Sequence, residues 1–336
     1  MMFSPSYMPF FGTLILGTFI TISSSTWFGS WIGLELNMLS FIPLITIKMN
    51  FYFSESALKY FLIQALGSTL FISASCMYLT LTFISSPLIL LSLLLKLGSA
   101  PFHFWFPQVM EGMAWPQAIM LMTIQKIAPM VLISYLLTYP MLTFITSLSA
   151  ILSAMTGALG GFNTMSLRKL MAFSSINHLS WMLISITIAD VFWMLYFIFY
   201  SILTLSVVIL FSMFQAYTLS DLMKSNQINS SFNLFIPLNL LSLGGLPPLS
   251  GFIPKWMLIQ LLINNKLFIP LFFLLVSALI TLYFYLRIIM LFIILTNPIM
   301  SVNVKLNPMS SLSFFMSSFT LFNMFMLTLP LMFFMF

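Results

Sequence analysis

The chain has 336 residues, of which 61% are hydrophobic and only 5% carry a charged side chain, and its mean hydropathy is +1.12. Soluble globular domains contain about 25% charged residues, so this composition excludes a soluble protein and indicates a polytopic membrane protein. The net charge of +6 comes from scattered basic residues. They form no basic patch or stripe, so the sequence predicts no nucleic-acid partner.

Apolar stretches long enough to cross a bilayer follow one another along the whole chain. At about 20 apolar residues per helical crossing, the sequence predicts eleven spans with no soluble domain between them. In chain order the predicted spans cover residues 8–25, 26–47, 56–80, 84–105, 115–138, 141–160, 169–189, 191–218, 231–264, 268–295 and 311–335.

The fourth and ninth predicted spans are interrupted by helix-breaking residues, and each interruption lies beside a lysine within the membrane. Broken helices persist at membrane depth only inside the protein or along a wet cavity. Paired breaks in corresponding spans are typical of inverted repeats around a transport site. The breaking residues are Gly98 and Pro101 in the fourth span, and Gly244, Gly245, Pro247, Pro248 and Gly251 in the ninth.

The two breaks are five spans apart, which predicts two five-helix repeats. Because each repeat has an odd number of helices, the two lie in opposite orientations. The sequence therefore predicts an all-α membrane fold with a first repeat at 1–138, a second at 139–295 and a C-terminal transmembrane helix at 296–336. The two halves share no convincing sequence identity.

The distribution of Lys and Arg predicts the orientation of the chain. Most of these residues fall on the side of the membrane that holds the N-terminus, whereas Lys266 falls on the other side. The positive-inside rule therefore places the N-terminus inside. The residues on the N-terminal side are Lys48, Lys59, Arg168, Lys169, Lys224, Arg287 and Lys305.

Glu35, Lys96 and Lys126 place three charges at one depth within predicted spans. Each lies about ten to twelve residues into its span, near the middle of the membrane at about 1.5 Å per residue. A charge there costs about 2.5–3.5 kcal/mol on insertion scales, and such residues usually move ions or protons. A static ion pair explains one Glu–Lys couple but leaves the other lysines without an acidic partner. The pattern therefore favours a proton relay.

Lys255 and His178 extend this candidate relay into the second half of the chain. Lys255 follows the break in the ninth span, where freed carbonyls and trapped water stabilise an ammonium group. His178 lies about ten residues into the seventh span and titrates near neutral pH when unperturbed. Snorkelling of Lys255 and neutral packing of His178 stay open. For His103 and Glu111, an interfacial or loop position and a place on the proton path both stay open.

Motifs that hold a nucleotide, a metal or an acyl substrate are missing from the sequence. It contains no GxGxxG after a strand, no phosphate loop, no HExxH and no nucleophile elbow. Cys76 is the single cysteine, whereas an iron–sulfur cluster typically needs four ligands. We therefore expect any associated redox chemistry to occur in other chains.

Five segments, in order from residue 33 onward, resemble the subunit 2 family of NADH-ubiquinone oxidoreductase. The likeness is strongest to arthropod mitochondrial members and extends from residue 27 to about residue 290. The segments are GLELN from Gly33, KLGSAPFHFWFP from Lys96, QKIAP from Gln125, SLRKLMAFSSINHLSWM from Ser166 and GGLPPLSGFIPKW from Gly244.

The resemblance implies an antiporter-like, proton-pumping subunit in the membrane arm of respiratory complex I, in the mitochondrial inner membrane with its N-terminus toward the matrix. Glu35 and Lys96 would form the pair of the first half, Lys126 the connecting lysine, His178 a point on the central hydrophilic axis and Lys255 the terminal lysine. NADH, FMN, iron–sulfur clusters and ubiquinone would belong to other subunits. This chain would then hold no cofactor or metal.

The resemblance also implies partners: neighbouring antiporter-like and small core subunits, accessory subunits, and a phospholipid such as cardiolipin. Quinone reduction elsewhere would shift Glu35 relative to Lys96 and drive a proton along Lys126 and His178 toward Lys255. Two alternatives stay open. One is a structural linker of the membrane arm without its own proton path. The other is a stand-alone cation/proton antiporter, which would want a longer chain and more intramembrane acids.

Overall fold

The computed structural model of this chain describes residues 7–46, 50–78, 81–225, 232–247 and 249–294. Several predicted features lie outside these ranges: the span at 311–335, the C-terminal segment 296–336, Pro248, and the basic residues Lys48 and Lys305. Within the described ranges the only strand-like pairing is an isolated bridge between Ser166 and Thr218, and the other regular structure is helical.

Fourteen helices occur in the described part of the chain, and several are halves of interrupted spans. They are α1 (Met8–Ser23), α2 (Trp27–Ile45), α3 (Phe51–Met77), α4 (Thr82–Leu97), α5 (Trp105–Gly112), α6 (Trp115–Met122), α7 (Ile124–Leu136), α8 (Pro140–Gly161), α9 (Leu167–Ile188), α10 (Asp190–Met213), α11 (Leu219–Ser225), α12 (Phe232–Gly244), α13 (Phe252–Asn264) and α14 (Phe268–Ile294).

Ten crossings can be counted among the described residues. Seven helical stretches are long and apolar enough to span a bilayer by themselves: α2, α3, α6 with α7, α8, α9, α10 and α14. Shorter apolar helices supply the remaining crossings, with α12 and α13 as the two halves of one span. These ten crossings coincide with the first ten predicted spans. The predicted fold class, an all-α polytopic membrane protein with breaks in its fourth and ninth spans, is confirmed.

The chain divides into two compact units, Met1–Ser153 and Ala154–Phe336. The division falls inside α8, whereas the predicted repeats meet between residues 138 and 139. The five-helix repeat stays a prediction, because the contacts define compact units and do not relate one unit to the other.

The same sequence spacing between a glycine and the backbone that it packs against recurs in both units. A Cβ added to Gly17 would lie 3.0 Å from the carbonyl oxygen of Gly33, sixteen residues later, and 3.0 Å from the backbone nitrogen of Asn37. A Cβ added to Gly157 would approach the carbonyl oxygen of Phe173, also sixteen residues later, at 2.9 Å. Small residues let membrane helices approach this closely. The shared register favours the predicted repeat.

Both broken spans stop their first half with the same backbone motif. Gly98 follows α4 with φ 71°, and Gly245 follows α12 with φ 75°. At the end of α4, the backbone N–H groups of Gly98 and Ser99 donate to the carbonyl oxygens of Leu95 and Leu94, respectively. At the end of α12, those of Gly245 and Leu246 donate to the carbonyl oxygens of Ser242 and Leu241. This is the Schellman arrangement, in which glycine takes the left-handed position without a Cβ penalty.

The buried serine hydroxyls of α9 find hydrogen-bond acceptors within their own helix. On α9, Ser174, Ser175, Ser180 and Ser185 are all buried, and each donates to a carbonyl three residues earlier at 2.6–2.8 Å. A buried hydroxyl without such a partner would cost free energy. The interior of α9 is therefore hydroxyl-rich and internally satisfied.

Candidate functional site

Lys96 lies in the last turn of α4, two residues before the first break. Its side chain is only 7% exposed. A Cβ added to Gly67 on α3 would lie 3.1 Å from the Cγ of Lys96, so the missing side chain of Gly67 leaves room for the lysine stem. Gln64 donates from Nε2 to the carbonyl oxygen of Lys96 over 3.2 Å. The negative end of the α4 dipole also favours an ammonium group here.

Glu35 lies on α2 and is half-buried. Its Oε2 is buried and has no hydrogen-bond partner within the described ranges. Glu35 interacts electrostatically with Lys96, yet the two do not form a direct ion pair, unlike Glu55 and Lys59 on α3. Carboxylate and ammonium therefore influence each other across a gap.

Lys126 enters the same region from α7. The backbone of its span is interrupted at Thr123, between α6 and α7, one turn before the lysine. The side chain is 2% exposed, and its Nζ lies 5.6 Å from the centroid of the Phe106 ring. An aromatic face within about 6 Å attracts a cation. No interruption was predicted in this span.

Lys96 and Lys126 line one cavity of about 20 Å³ in the first unit. Its other polar lining residues are Asn37, Tyr60, Gln64 and Gln125. A cavity needs about 10–15 Å³ to hold a water molecule, together with two to four polar partners. This cavity therefore meets both requirements for one water molecule between two buried lysines.

Hydrogen bonds join three uncharged side chains that line this cavity. Gln125 donates from Nε2 to Oδ1 of Asn37 over 2.7 Å, and its Oε1 accepts from the hydroxyl of Tyr60 over 3.2 Å. None of the three was predicted as a site residue. Gln125 lies beside Lys126 in the QKIAP segment and Asn37 ends the GLELN segment, whereas no quoted segment includes Tyr60.

His178 occupies the middle of α9, within the second unit, and is 6% exposed. Its Nδ1 lies 2.9 Å from the hydroxyl oxygen of Tyr196 on α10, with the donor set by the histidine tautomer. The ring of Tyr200 lies 5.1 Å from the imidazole, centroid to centroid. The sequence analysis did not identify either tyrosine.

Lys255 lies on α13, just after the second break, and is 5% exposed. Its Nζ donates to the carbonyl oxygen of Gly244 over 2.8 Å. A Cβ added to Gly245 would lie 2.8 Å from the Cδ of Lys255, so the lysine passes directly over the glycine. Pro247 follows in the connecting turn. The ammonium group is thus held inside the protein, at the end of α12.

The two residues whose role stayed open lie around the first break and α5. His103 is partly buried, and its ring lies 4.2 Å from that of Phe104, which is 71% exposed. Glu111 lies near the end of α5 and is partly buried. Pro101, joined to Ala100 by a cis peptide bond, lies between α4 and α5. His103 and Glu111 line no described part of the cavity.

The structure brings the predicted site residues together as two groups. Glu35, Lys96 and Lys126 belong to the first unit, and His178 and Lys255 to the second. In the described ranges, no three His, Cys, Asp or Glu side chains converge in the way a metal ion requires. The chemistry available to both groups is proton exchange among amines, an imidazole, hydroxyls and water.

Comparison with known proteins places these groups in a family context. A family model described as "NADH:quinone oxidoreductase/Mrp antiporter, TM" matches residues 24–281. NADH-ubiquinone oxidoreductase chain 2 of Anopheles gambiae is 50% identical over 284 residues, which cover 82% of each chain. The matched region includes most of the described helices.

Two solved structures share the fold at low sequence identity. A chain of an archaeal respiratory membrane complex, the membrane-bound sulfane sulfur reductase, superposes with a TM-score of 0.80 at 16% identity, over 96% of this chain and 73% of that one. A chain of respiratory complex I from Thermus thermophilus gives a TM-score of 0.74 at 23% identity, over 85% of this chain and 70% of that one.

Proposed function

This chain belongs to the NADH:quinone oxidoreductase/Mrp antiporter transmembrane family and within it to the NADH-ubiquinone oxidoreductase chain 2 relatives, and from that membership we propose that it moves protons as a membrane-arm subunit of respiratory complex I. Its place is the mitochondrial inner membrane, with the N-terminus toward the matrix as the positive-inside rule indicates. Electron transfer from NADH to ubiquinone takes place in other subunits and drives the movement.

The observation that carries the proposal is the water-sized cavity shared by Lys96 and Lys126. Two ammonium groups in one buried site repel each other, and burial disfavours the charged form of each. Glu35 interacts with Lys96 and therefore biases where the positive charge sits. When Glu35 moves toward Lys96, an ammonium there is favoured. When it moves away, the proton passes through water to Lys126.

The second unit supplies the other relay segment. His178 exchanges protons through an imidazole that is bonded to Tyr196, and Lys255 holds a proton against the carbonyl of Gly244. Each step breaks one N–H or O–H bond and forms another, so no redox group is needed in this chain. Expected partners are the neighbouring antiporter-like and small core subunits, accessory subunits, and cardiolipin at the lipid-facing surface.

A structural linker of the membrane arm would need the same helices but no exchange of protons. In such a linker we expect each buried charge to be held in a fixed ion pair, because an unpaired buried charge is strongly destabilising. Instead, the described residues include three buried lysines, Lys96, Lys126 and Lys255. Glu35, the acid that interacts with Lys96, makes no direct ion pair with it. This arrangement favours the relay.

The experiment that tests the proposal is proton translocation per NADH oxidised, measured in vesicles that carry the assembled complex with Lys96→Met. Methionine keeps the length and much of the volume of the lysine stem but removes the ammonium group. We expect fewer protons per NADH at an unchanged amount of assembled complex. The matched control is Lys59→Met, because Lys59 is 41% exposed and pairs with Glu55 at the surface.

Two outcomes contradict the proposal. Wild-type translocation by the Lys96→Met complex, at wild-type assembly, would favour the linker. Migration of the detergent-solubilised chain as a small oligomer, rather than in an assembly many times its 38.3 kDa mass, would favour the stand-alone antiporter.

A further inference from the structure

Three tyrosines that the relay described above does not require converge in the second unit. Tyr196 and Tyr200 come from α10 and Tyr285 comes from α14. Each is at most 2% exposed. The rings of Tyr196 and Tyr200 lie 6.0 Å and 5.1 Å from the imidazole of His178, centroid to centroid. The phenols of Tyr200 and Tyr285 approach two adjacent serines of α9, Ser175 and Ser174. Three polar groups therefore share one buried region.

One end of this cluster contacts His178. The hydroxyl oxygen of Tyr196 lies 2.9 Å from Nδ1 of His178, a short hydrogen bond between buried groups. Trp181 stacks on Tyr196 with ring planes 7° apart and centroids 6.4 Å apart. The stacked ring restricts the rotation of the phenol, so its hydroxyl is held at the imidazole.

The other end of the cluster contacts the break that holds Lys255. A Cβ added to Gly244 would lie 3.4 Å from the Cδ2 of Tyr285, so the phenol ring packs on the last residue of α12. The carbonyl oxygen of that same residue accepts the hydrogen bond from Lys255. Tyr285 therefore lies next to the acceptor of the lysine.

The hydroxyl of Tyr285 is buried and has no hydrogen-bond partner of normal geometry among the described residues. It approaches Ser174 on α9, whose hydroxyl donates to the carbonyl of Met171 and keeps its lone pairs for accepting a proton donor. Leaving a phenol unpaired in the interior costs free energy. A native protein keeps such a group where water or a transient partner reaches it.

From these contacts we infer that Tyr196, Tyr200 and Tyr285 form a hydroxyl path that carries protons between His178 and Lys255. This inference rests on the proposed function and extends it by naming the groups between two relay residues. Tyr196 exchanges with the imidazole, Tyr200 continues along α10, and Tyr285 exchanges with water or with the ammonium group at the end of α12.

The chemistry of the path is proton exchange without a change of charge on the phenols at rest. Each hydroxyl oxygen accepts a proton on one side while its own proton leaves on the other side, so one O–H bond forms as one breaks. No electron is transferred. The path therefore needs hydroxyl groups at these positions, whereas the aromatic rings alone provide packing.

The test replaces hydroxyl groups while keeping the rings. Vesicles carrying assembled complex with Tyr285→Phe, Tyr196→Phe or Lys255→Met are compared for protons translocated per NADH and for the solvent deuterium isotope effect on NADH oxidation. The matched control is Tyr283→Phe, two residues from Tyr285, because Tyr283 is 51% exposed and stacks on Phe162. Native electrophoresis measures the assembled amount of each variant.

We expect Tyr285→Phe and Tyr196→Phe each to reproduce at least half of the pumping loss of Lys255→Met, with a changed isotope effect, while Tyr283→Phe behaves as wild type. A loss in Lys255→Met with wild-type pumping and isotope effect in both tyrosine variants overturns the path alone. Wild-type pumping in Lys255→Met overturns the proposed role of Lys255 itself. If one tyrosine variant assembles poorly, the other and Tyr200→Phe decide the question.

Discussion

The ammonium group of Lys255 donates to the carbonyl oxygen of Gly244 over 2.8 Å, across the interruption between α12 and α13. Gly244 ends α12, and the last carbonyls of a helix have no intrahelical partner and carry its partial negative charge. The interruption thus provides an acceptor for a buried lysine without any acid. Lys96 lies in the last turn of α4, next to the other interruption, so each of these two broken spans places a buried lysine beside its interruption.

Replacing Glu35 by glutamine tests whether its charge biases Lys96. Glu35→Gln keeps the shape of the side chain but removes the charge that interacts with Lys96. We expect protons translocated per NADH to fall by more than half of the loss caused by Lys96→Met, at wild-type assembly. Glu55→Gln is the control, because Glu55 is 43% exposed in a surface pair that contributes little. Equal pumping by both variants contradicts the prediction.

Replacing Gln125 by leucine breaks the hydrogen-bonded chain beside the cavity. Gln125→Leu leaves Oδ1 of Asn37 and the hydroxyl of Tyr60 without their partner. The loss of such buried hydrogen bonds costs about 2 kcal/mol of unfolding free energy. We expect faster thermal inactivation of the assembly together with fewer protons per NADH. The control is Gln260→Leu, at an exposed position on α13, which should match wild type in thermal inactivation and in protons per NADH. If Gln125→Leu and Gln260→Leu give the same values, Gln125 does not have this role.

Adding a methyl group at Gly67 tests the space around Lys96. The Cβ of alanine would lie 3.1 Å from the Cγ of Lys96, so Gly67→Ala pushes the lysine stem away from its present path. Overpacking of this kind costs about 1–3 kcal/mol. We expect pumping to fall more than NADH oxidation does. Gly12→Ala, with no atom within 4 Å of its added Cβ, should leave both unchanged. Unchanged pumping in Gly67→Ala would show that the stem has room to move.

Gly245 and its neighbour Gly244 provide a matched pair at the second break. Gly245→Ala forces a left-handed residue with a Cβ, at φ 75° and 2.8 Å from the Cδ of Lys255. The left-handed conformation alone costs about 1–2 kcal/mol. In Gly244→Ala the new Cβ meets only Tyr285, at an ordinary 3.4 Å. We expect a lower thermal inactivation temperature for Gly245→Ala than for Gly244→Ala. The reverse order would contradict the Schellman assignment.

The sequence predicts the spans and their interruptions because both are local properties. An apolar run of about 20 residues predicts a crossing, and Gly98 and Gly245 mark the helix ends because few other residues tolerate the left-handed conformation. The charges at Lys96 and Lys126 stand out because charge is rare in a span. Each of these signals is contained in a short window of sequence.

The polar contacts between helices could not be predicted in this way. Gln125 and Asn37 are 88 residues apart in sequence, and their contact depends on how α2 and α7 pack. Tyr196 and Tyr285 look like aromatic filler in an apolar helix until the structure shows their hydroxyls in one buried region. Tertiary packing, rather than residue type, decides which polar groups of a membrane span meet.

The serines of α9 have a consequence for how this protein enters the bilayer during synthesis. Each of Ser174, Ser175, Ser180 and Ser185 bonds to a carbonyl of its own helix, so the hydroxyl and its acceptor enter lipid together. The helix therefore does not need its neighbours to offset the polarity of these groups at insertion. Contacts with side chains of the next helix, α10, are added by His178, at Tyr196, and by Ser175, at Tyr200. The helix can thus be released into lipid singly and dock on α10 afterwards.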